Sequence, residues 1–122
     1  YCRYLNGQGW KARSVSGALE CLWKVSQAIP KVLVLDHELP WGDGEGVIGC
    51  LREENFNLPV IVTTWNTSQT FARRVISPPV VACLTKFFPL EKLRDAVGNA
   101  MNRIEMVHVL GDNARGPIES VR

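Results

Sequence analysis

Three short stretches of the chain are continuously apolar and β-branched: Lys31 to Leu35 (KVLVL), Pro59 to Thr64 (PVIVTT) and Val80 to Thr85 (VVACLT). Runs of this length without polar alternation suit strands buried on both faces of a parallel sheet. Between them the apolar positions recur at helical spacing: Ala18, Leu22 and Val25 behind an N-cap at Ser16, then Val47, Ile48 and Leu51, then Phe71, Ala72, Val75 and Ile76 behind Ser68. Leu90, Leu93, Val97, Met101 and Ile104 mark a last helix, and Trp10 to Val15 reads as one further, shorter strand. Strands alternating with single helices predict an α/β, doubly wound parallel sheet with helices on both faces and right-handed crossovers.

In such a sheet chemistry gathers outside the carboxyl ends of the strands, so polar residues that finish strands are the candidates. Asp36, Thr64 and Lys86 each do so. A carboxylate nucleophile, a hydroxyl donor and a fixed cation on neighbouring strand ends are what an acyl-phosphate site requires: the carboxylate attacks phosphorus, and the other two neutralise the equatorial oxygens. A single strand-end aspartate is ordinarily a turn residue. The ordered triplet is the specific signal.

The bulk properties narrow the setting. A chain of 122 residues supports one core, so residues 1–122 are read as one domain. With 46% apolar and 21% charged residues it sits among ordinary globular domains. No apolar run approaches the roughly 20 residues of a membrane helix, and no basic segment followed by an apolar one opens the chain. A cytoplasmic protein without a membrane partner is expected. The net charge is +2 and the basic residues are scattered, so no nucleic-acid footprint stands out. Cys2, Cys21, Cys50 and Cys83 lie far apart in apolar surroundings and read as reduced core thiols.

The segments VLVLDHELP (Val32 to Pro40), GDG (Gly42 to Gly44), LPVIVTT (Leu58 to Thr64) and LTK (Leu84 to Lys86) resemble the phosphoacceptor, threonine and lysine segments of response-regulator receiver domains, the CheY-like family. The resemblance runs from about Tyr1 to Ile104. It implies a flavodoxin-like, five-stranded parallel sheet of order 2-1-3-4-5 and a two-component signalling role. By it, Asp36 accepts a phosphoryl group from a histidine kinase or phosphotransfer protein, Thr64 contacts a phosphoryl oxygen and Lys86 pairs with it. The module is then not an enzyme, beyond self-catalysed phosphorylation and dephosphorylation. Residues 68–104 form the face expected to switch, which would also serve a homodimer; Arg73 and Arg74 lie within it and read rather as solvated charges than as part of the contact.

Receivers of this family begin with a central strand ending in an acidic pair, whereas this chain opens on what reads as the end of helix one. The missing piece resembles the tail: Met106 to Gly111 as first strand, Asp112 as the acidic turn and the residues to Arg122 as the start of helix one, which implies a circularly permuted order. Residues 1–105 then run from the end of helix one through helix five. Ile118, Val121, Cys2 and Leu5 would form one stripe across the join, with Gly7 and Gly9 ending the helix. The alternative is a continuing helix and polar tail. Under the permuted reading Asp36, Asp112 and the region of Glu38 hold Mg2+. Gly111 stands where a second acid is usual, and Glu38 either substitutes in part or is a solvated loop carboxylate.

Other departures bear on switching. Trp65 follows Thr64 where a small residue is general, so an indole narrows or covers the pocket. Phe87 replaces the proline after the lysine, which predicts a trans bond there and a different aim for Lys86. Cys83 takes the place of an aromatic residue that couples to the threonine. His37 is read as an exposed neighbour of the acceptor.

Three further readings compete. A pseudo-receiver would have the same fold and act as an interaction module independent of phosphate. An aspartyl-phosphate hydrolase of the haloacid dehalogenase type would need a second Asp where Glu38 stands, and a cap for which the chain has no room. A flavodoxin would need a Ser/Thr/Gly-rich phosphate loop, which is absent from the sequence.

Overall fold

The structure, a computed structural model, describes residues 1–15, 17–38, 44–54 and 58–101. Helix α1 (Cys2–Gly7) opens the chain and is followed by α2 (Ala18–Gln27), β1 (Leu33–Asp36), α3 (Gly44–Glu53), β2 (Val60–Thr64), α4 (Gln69–Val75) and β3 (Val80–Thr85). A last helix, α5, covers residues 90–101. The three apolar runs are the three strands, parallel and ordered β1-β2-β3, with α3 and α4 as the crossovers.

All five residues of β2 are buried, as its place between two strands with both faces covered requires. Pleating sends alternate side chains to two separate cores. Val60, Val62 and Leu35 pack with Cys21 and Val25 of α2, Val47, Ile48 and Leu51 of α3, and Phe71 and Val75 of α4. Ile61 packs on the other face with Leu5 of α1 and Leu93 and Val97 of α5, joined by Val32, Val34 and Leu84. Helices therefore cover both faces.

The ladder between β2 and β3 slips by one residue: Val60 pairs with Val80, but Ile61 pairs with Ala82, and Thr64 with Thr85. Val81 is the extra residue, and both Val81 and Ala82 consequently meet the α1/α5 core.

Several expectations are corrected. Trp10 to Val15 is not a strand. A strand needs a ladder partner, and here both backbone groups of Ala12 go to one side chain: Ala12 N–H donates to Asn6 Oδ1 at 2.9 Å, and Asn6 Nδ2 donates to Ala12 O at 3.2 Å. The N-cap of α2 is Gly17, in extended conformation and without a side-chain cap bond; Ser16 lies outside the described residues. The cap at Ser68 holds, its hydroxyl accepting from Phe71 N–H at 3.2 Å. Gly9, with φ of 98°, turns the chain after α1 as only glycine does readily. Of the four free cysteines only Cys21 is buried, and Cys50 is exposed. It lies to the side of the face that Val47, Ile48 and Leu51 bury, as the helical period dictates. Ile104, the strand assigned to 106–111, Asp112 and the rest of the tail to Arg122 lie outside the described residues, as do Gly42 and Asp43.

Candidate functional site

Each strand delivers one polar residue to the same rim. Asp36 ends β1, Thr64 ends β2 and Lys86 directly follows β3, whose register is fixed there by Lys86 N–H donating to Thr64 O at 2.8 Å. Lys86 Nζ then lies 2.9 Å from Asp36 Oδ1 and 2.8 Å from Oδ2. The Lys86 side chain is 14% exposed and that of Asp36 42%, so the cation is packed into the rim while the carboxylate faces outward. That exposure is what attack on an incoming electrophile needs.

The loop after Asp36 is built by its own hydrogen bonds. Glu38 N–H donates to Asp36 Oδ1 at 2.9 Å, a turn in which the aspartate side chain receives the chain two residues on. His37 N–H donates to Thr63 O and Gly44 N–H to His37 O, both at 2.8 Å. Gly44 is buried there: a Cβ on it would stand 2.6 Å from His37 Cα and 2.9 Å from His37 O. His37 is half-buried rather than exposed, because its ring meets the edge of Phe71 at 4.8 Å and its Nδ1 lies 3.3 Å from Glu38 Oε2.

This turn sends the Glu38 carboxylate across to β2. Oε2 accepts from Thr64 Oγ1 at 2.5 Å, Oε1 accepts from Trp65 N–H at 3.0 Å, and Lys86 Nζ is 3.4 Å from Oε1. The sequence reading offered Glu38 only to a metal or to solvent. The one trace in the sequence is its position two residues beyond Asp36, where a side-chain turn at the aspartate can aim it. Burial pushes the Glu38 carboxyl up, but the bonds from Thr64, Trp65 N–H and His37 and the charge of Lys86 outweigh it, leaving the group below its ordinary value. Burial likewise pulls the Lys86 ammonium down, and its bond to Asp36 with the charges of Asp36 and Glu38 carries it above the ordinary lysine value. The Cys83 thiol is raised by burial and further by Glu38.

One aromatic ring stands over the cation, and a second packs against the first. The Trp65 ring centroid lies 5.1 Å from Lys86 Nζ, and Trp65 meets Phe87 edge to face at 4.9 Å. The indole thus lies against the ammonium. Among the described residues the one cis peptide is Pro78-Pro79, so the bond from Lys86 to Phe87 is trans, and Lys86 is nonetheless aimed at both oxygens of Asp36.

Of the carboxylates assigned to Mg2+, Asp36 and Glu38 are on this rim and Asp112 lies outside the described residues. Among the described residues no group of three or more His, Cys, Asp or Glu side chains is placed to hold a metal ion. Lys86 is bonded to both oxygens of Asp36, and Glu38 is engaged elsewhere. The described residues alone therefore do not fit the ion. No described helix is long and apolar enough to cross a membrane.

A family pattern described as "Response regulator receiver domain" matches residues 2–98. Solved structures with the same fold include a signal receiver domain from Vibrio parahaemolyticus, 19% identical over 88% of this chain and 83% of that one, with a TM-score of 0.82. The Francisella response regulator 1452 receiver domain is 22% identical over 84% and 88% of the two chains, with a TM-score of 0.77. The response regulator TrrA from Thermotoga maritima, in complex with Mg2+ and BeF, is 20% identical over 80% and 84%, with a TM-score of 0.69. No curated protein matches the chain.

Proposed function

The chain belongs to the response-regulator receiver family, hence to two-component signalling, and on that premise we propose that Asp36 is its phosphoacceptor. What carries the reading is the pair of bonds from Lys86 Nζ to Asp36 Oδ1 and Oδ2, on a rim shared with Thr64. One Oδ forms a bond to phosphorus while the donor's P–N bond breaks, and the imidazole of a histidine kinase or phosphotransfer protein leaves. The ammonium of Lys86 and the hydroxyl of Thr64 then neutralise charge on the phosphoryl oxygens. The module acts as a switch with no substrate beyond the phosphodonor. We assign Mg2+ to Asp36 and Asp112, with Glu38 as the third candidate; no step here runs through the ion.

The finer architecture belongs to the same proposal. β1 pairs with β2 alone among the described strands, and the strand read at 106–111 would lie on its other edge as the central strand of a permuted five-stranded sheet. The switching face is residues 68–104, through which a kinase, an output partner or a second copy would be met. A cytoplasmic location accords with this role.

Intact mass after incubation with acetyl phosphate and Mg2+ tests the acceptor: one phosphoryl adduct is expected, and none in Asp36→Asn. No adduct on the parent chain under saturating donor would refute it. The second reading, a phosphate-independent interaction module, is favoured by one observation, the indole of Trp65 lying against Lys86.

A further inference from the structure

The three donors around the Glu38 carboxylate differ in kind and come from different segments: a side-chain hydroxyl on Thr64, a peptide N–H on Trp65 and an ammonium on Lys86. A hydroxyl, a main-chain N–H and a cation converging within hydrogen-bond reach of one point are the makings of an oxyanion site. A carboxylate has two oxygens with about four acceptor positions, enough to satisfy all three donors together with His37 Nδ1 at 3.3 Å from Oε2. Two of the donors, Thr64 and Lys86, are the groups that the acceptor reading gives to the phosphoryl oxygens. An incoming phosphoryl group and the Glu38 carboxylate cannot use them at once.

We propose that Glu38 is a built-in occupant of this oxyanion pocket, an internal carboxylate that must swing out before phosphoryl transfer to Asp36, and that holds Thr64, Trp65 and Lys86 drawn together while no phosphate is bound. The inference rests on the acceptor reading and adds its regulation. The geometry allows the exchange. The Glu38 side chain is 37% exposed, so it has a path to solvent. Its anchor does not depend on the seat, because the backbone turn is held separately by Glu38 N–H on Asp36 Oδ1. A tethered competitor seated about nine-tenths of the time lowers the apparent affinity for an external anion about tenfold.

The test compares the parent chain with Glu38→Ala and Glu38→Gln, each labelled with 15N. Two readouts are taken: the amide resonance of Trp65 without phosphate, and the rate at which acetyl phosphate and Mg2+ add a phosphoryl group by intact mass. A retained pattern of amides across Val60 to Val62 shows that each variant is folded. Removing the carboxylate is expected to move the Trp65 amide upfield and to speed labelling about tenfold, with Gln intermediate in both. A Trp65 amide that stays in place in Glu38→Ala overturns the proposal whatever the labelling does. Labelling that occurs but is no faster in Glu38→Ala overturns it as well. If no variant is labelled, the acceptor reading fails instead, and the upfield shift of Trp65 still establishes the seat of Glu38.

Discussion

Lys86 Nζ bonds both carboxylate oxygens of Asp36, at 2.9 and 2.8 Å, across fifty residues of chain. The pair draws the ends of β1 and β3 to one point, so the cation on one strand acts on the carboxylate of another. Its contribution to folding is small, since an ion pair with one exposed partner contributes no more than about 1 kcal/mol. Lys86→Met is therefore expected to shift unfolding by less than about 1 kcal/mol while slowing phosphoryl labelling of Asp36 at least tenfold. Denaturant melts and intact-mass time courses on one preparation separate the two effects.

The upward shift of Lys86 sets a pH dependence. A base held above its unfolded value adds stability that is fully present below that unfolded value, about pH 10.4 for lysine. That stability is lost as pH rises through the higher folded value. Competitive acylation across alkaline pH should show Lys86 becoming reactive at higher pH than a free lysine amide present in the same solution. Coincident curves for the two would contradict the proposed environment.

Gly44 bears on the loop that carries Asp36 and Glu38. With His37 Cα 2.6 Å and His37 O 2.9 Å from the position of an added Cβ, Gly44→Ala must push backbone, which does not yield cheaply. A loss of about 1–3 kcal/mol of stability is expected, with the amides of His37 and Glu38 displaced. Gly49, with nothing within 4 Å of such a Cβ, is the matched control, and Gly49→Ala should be neutral or slightly stabilising.

The cysteines differ in accessibility and chemistry. Cys50 is exposed, whereas Cys21 is 3% exposed and burial raises its thiol. Since the thiolate is the reactive form, iodoacetamide at neutral pH should modify Cys50 first and reach Cys21 only on unfolding. Early modification of Cys21 would mean that α2 does not pack as described.

How much was legible beforehand follows from what each feature depends on. The strands at 33–36, 60–64 and 80–85 and the inward faces of α3 and α4 could be read because burial on two faces forces uninterrupted Val, Ile and Leu, and burial on one forces the helical period. Asp36, Thr64 and Lys86 followed from their places at strand ends. Trp10 to Val15 failed because its pattern says nothing of partners, and Asn6 took the bonds a neighbouring strand would have supplied. The seat of Glu38 was hidden for a related reason: it depends on a side-chain turn at Asp36 and an N–H on another strand, neither of which leaves a periodic trace. Cys50 was misread because apolar neighbours in sequence are not neighbours around a helix.

The slip that sets Val81 aside decides which chemistry reaches Asp36. Had the pairing offset between Val60 and Val80 continued, Leu84 rather than Thr85 would stand beside Thr64, and the place now filled by the ammonium would hold the hydroxyl of Thr85. Chain length, not composition, is then the sensitive variable in that strand. Inserting one residue between Ala82 and Thr85 would cost Asp36 its counter-charge while leaving every functional side chain in the gene, a lesion that no comparison of residue types would reveal.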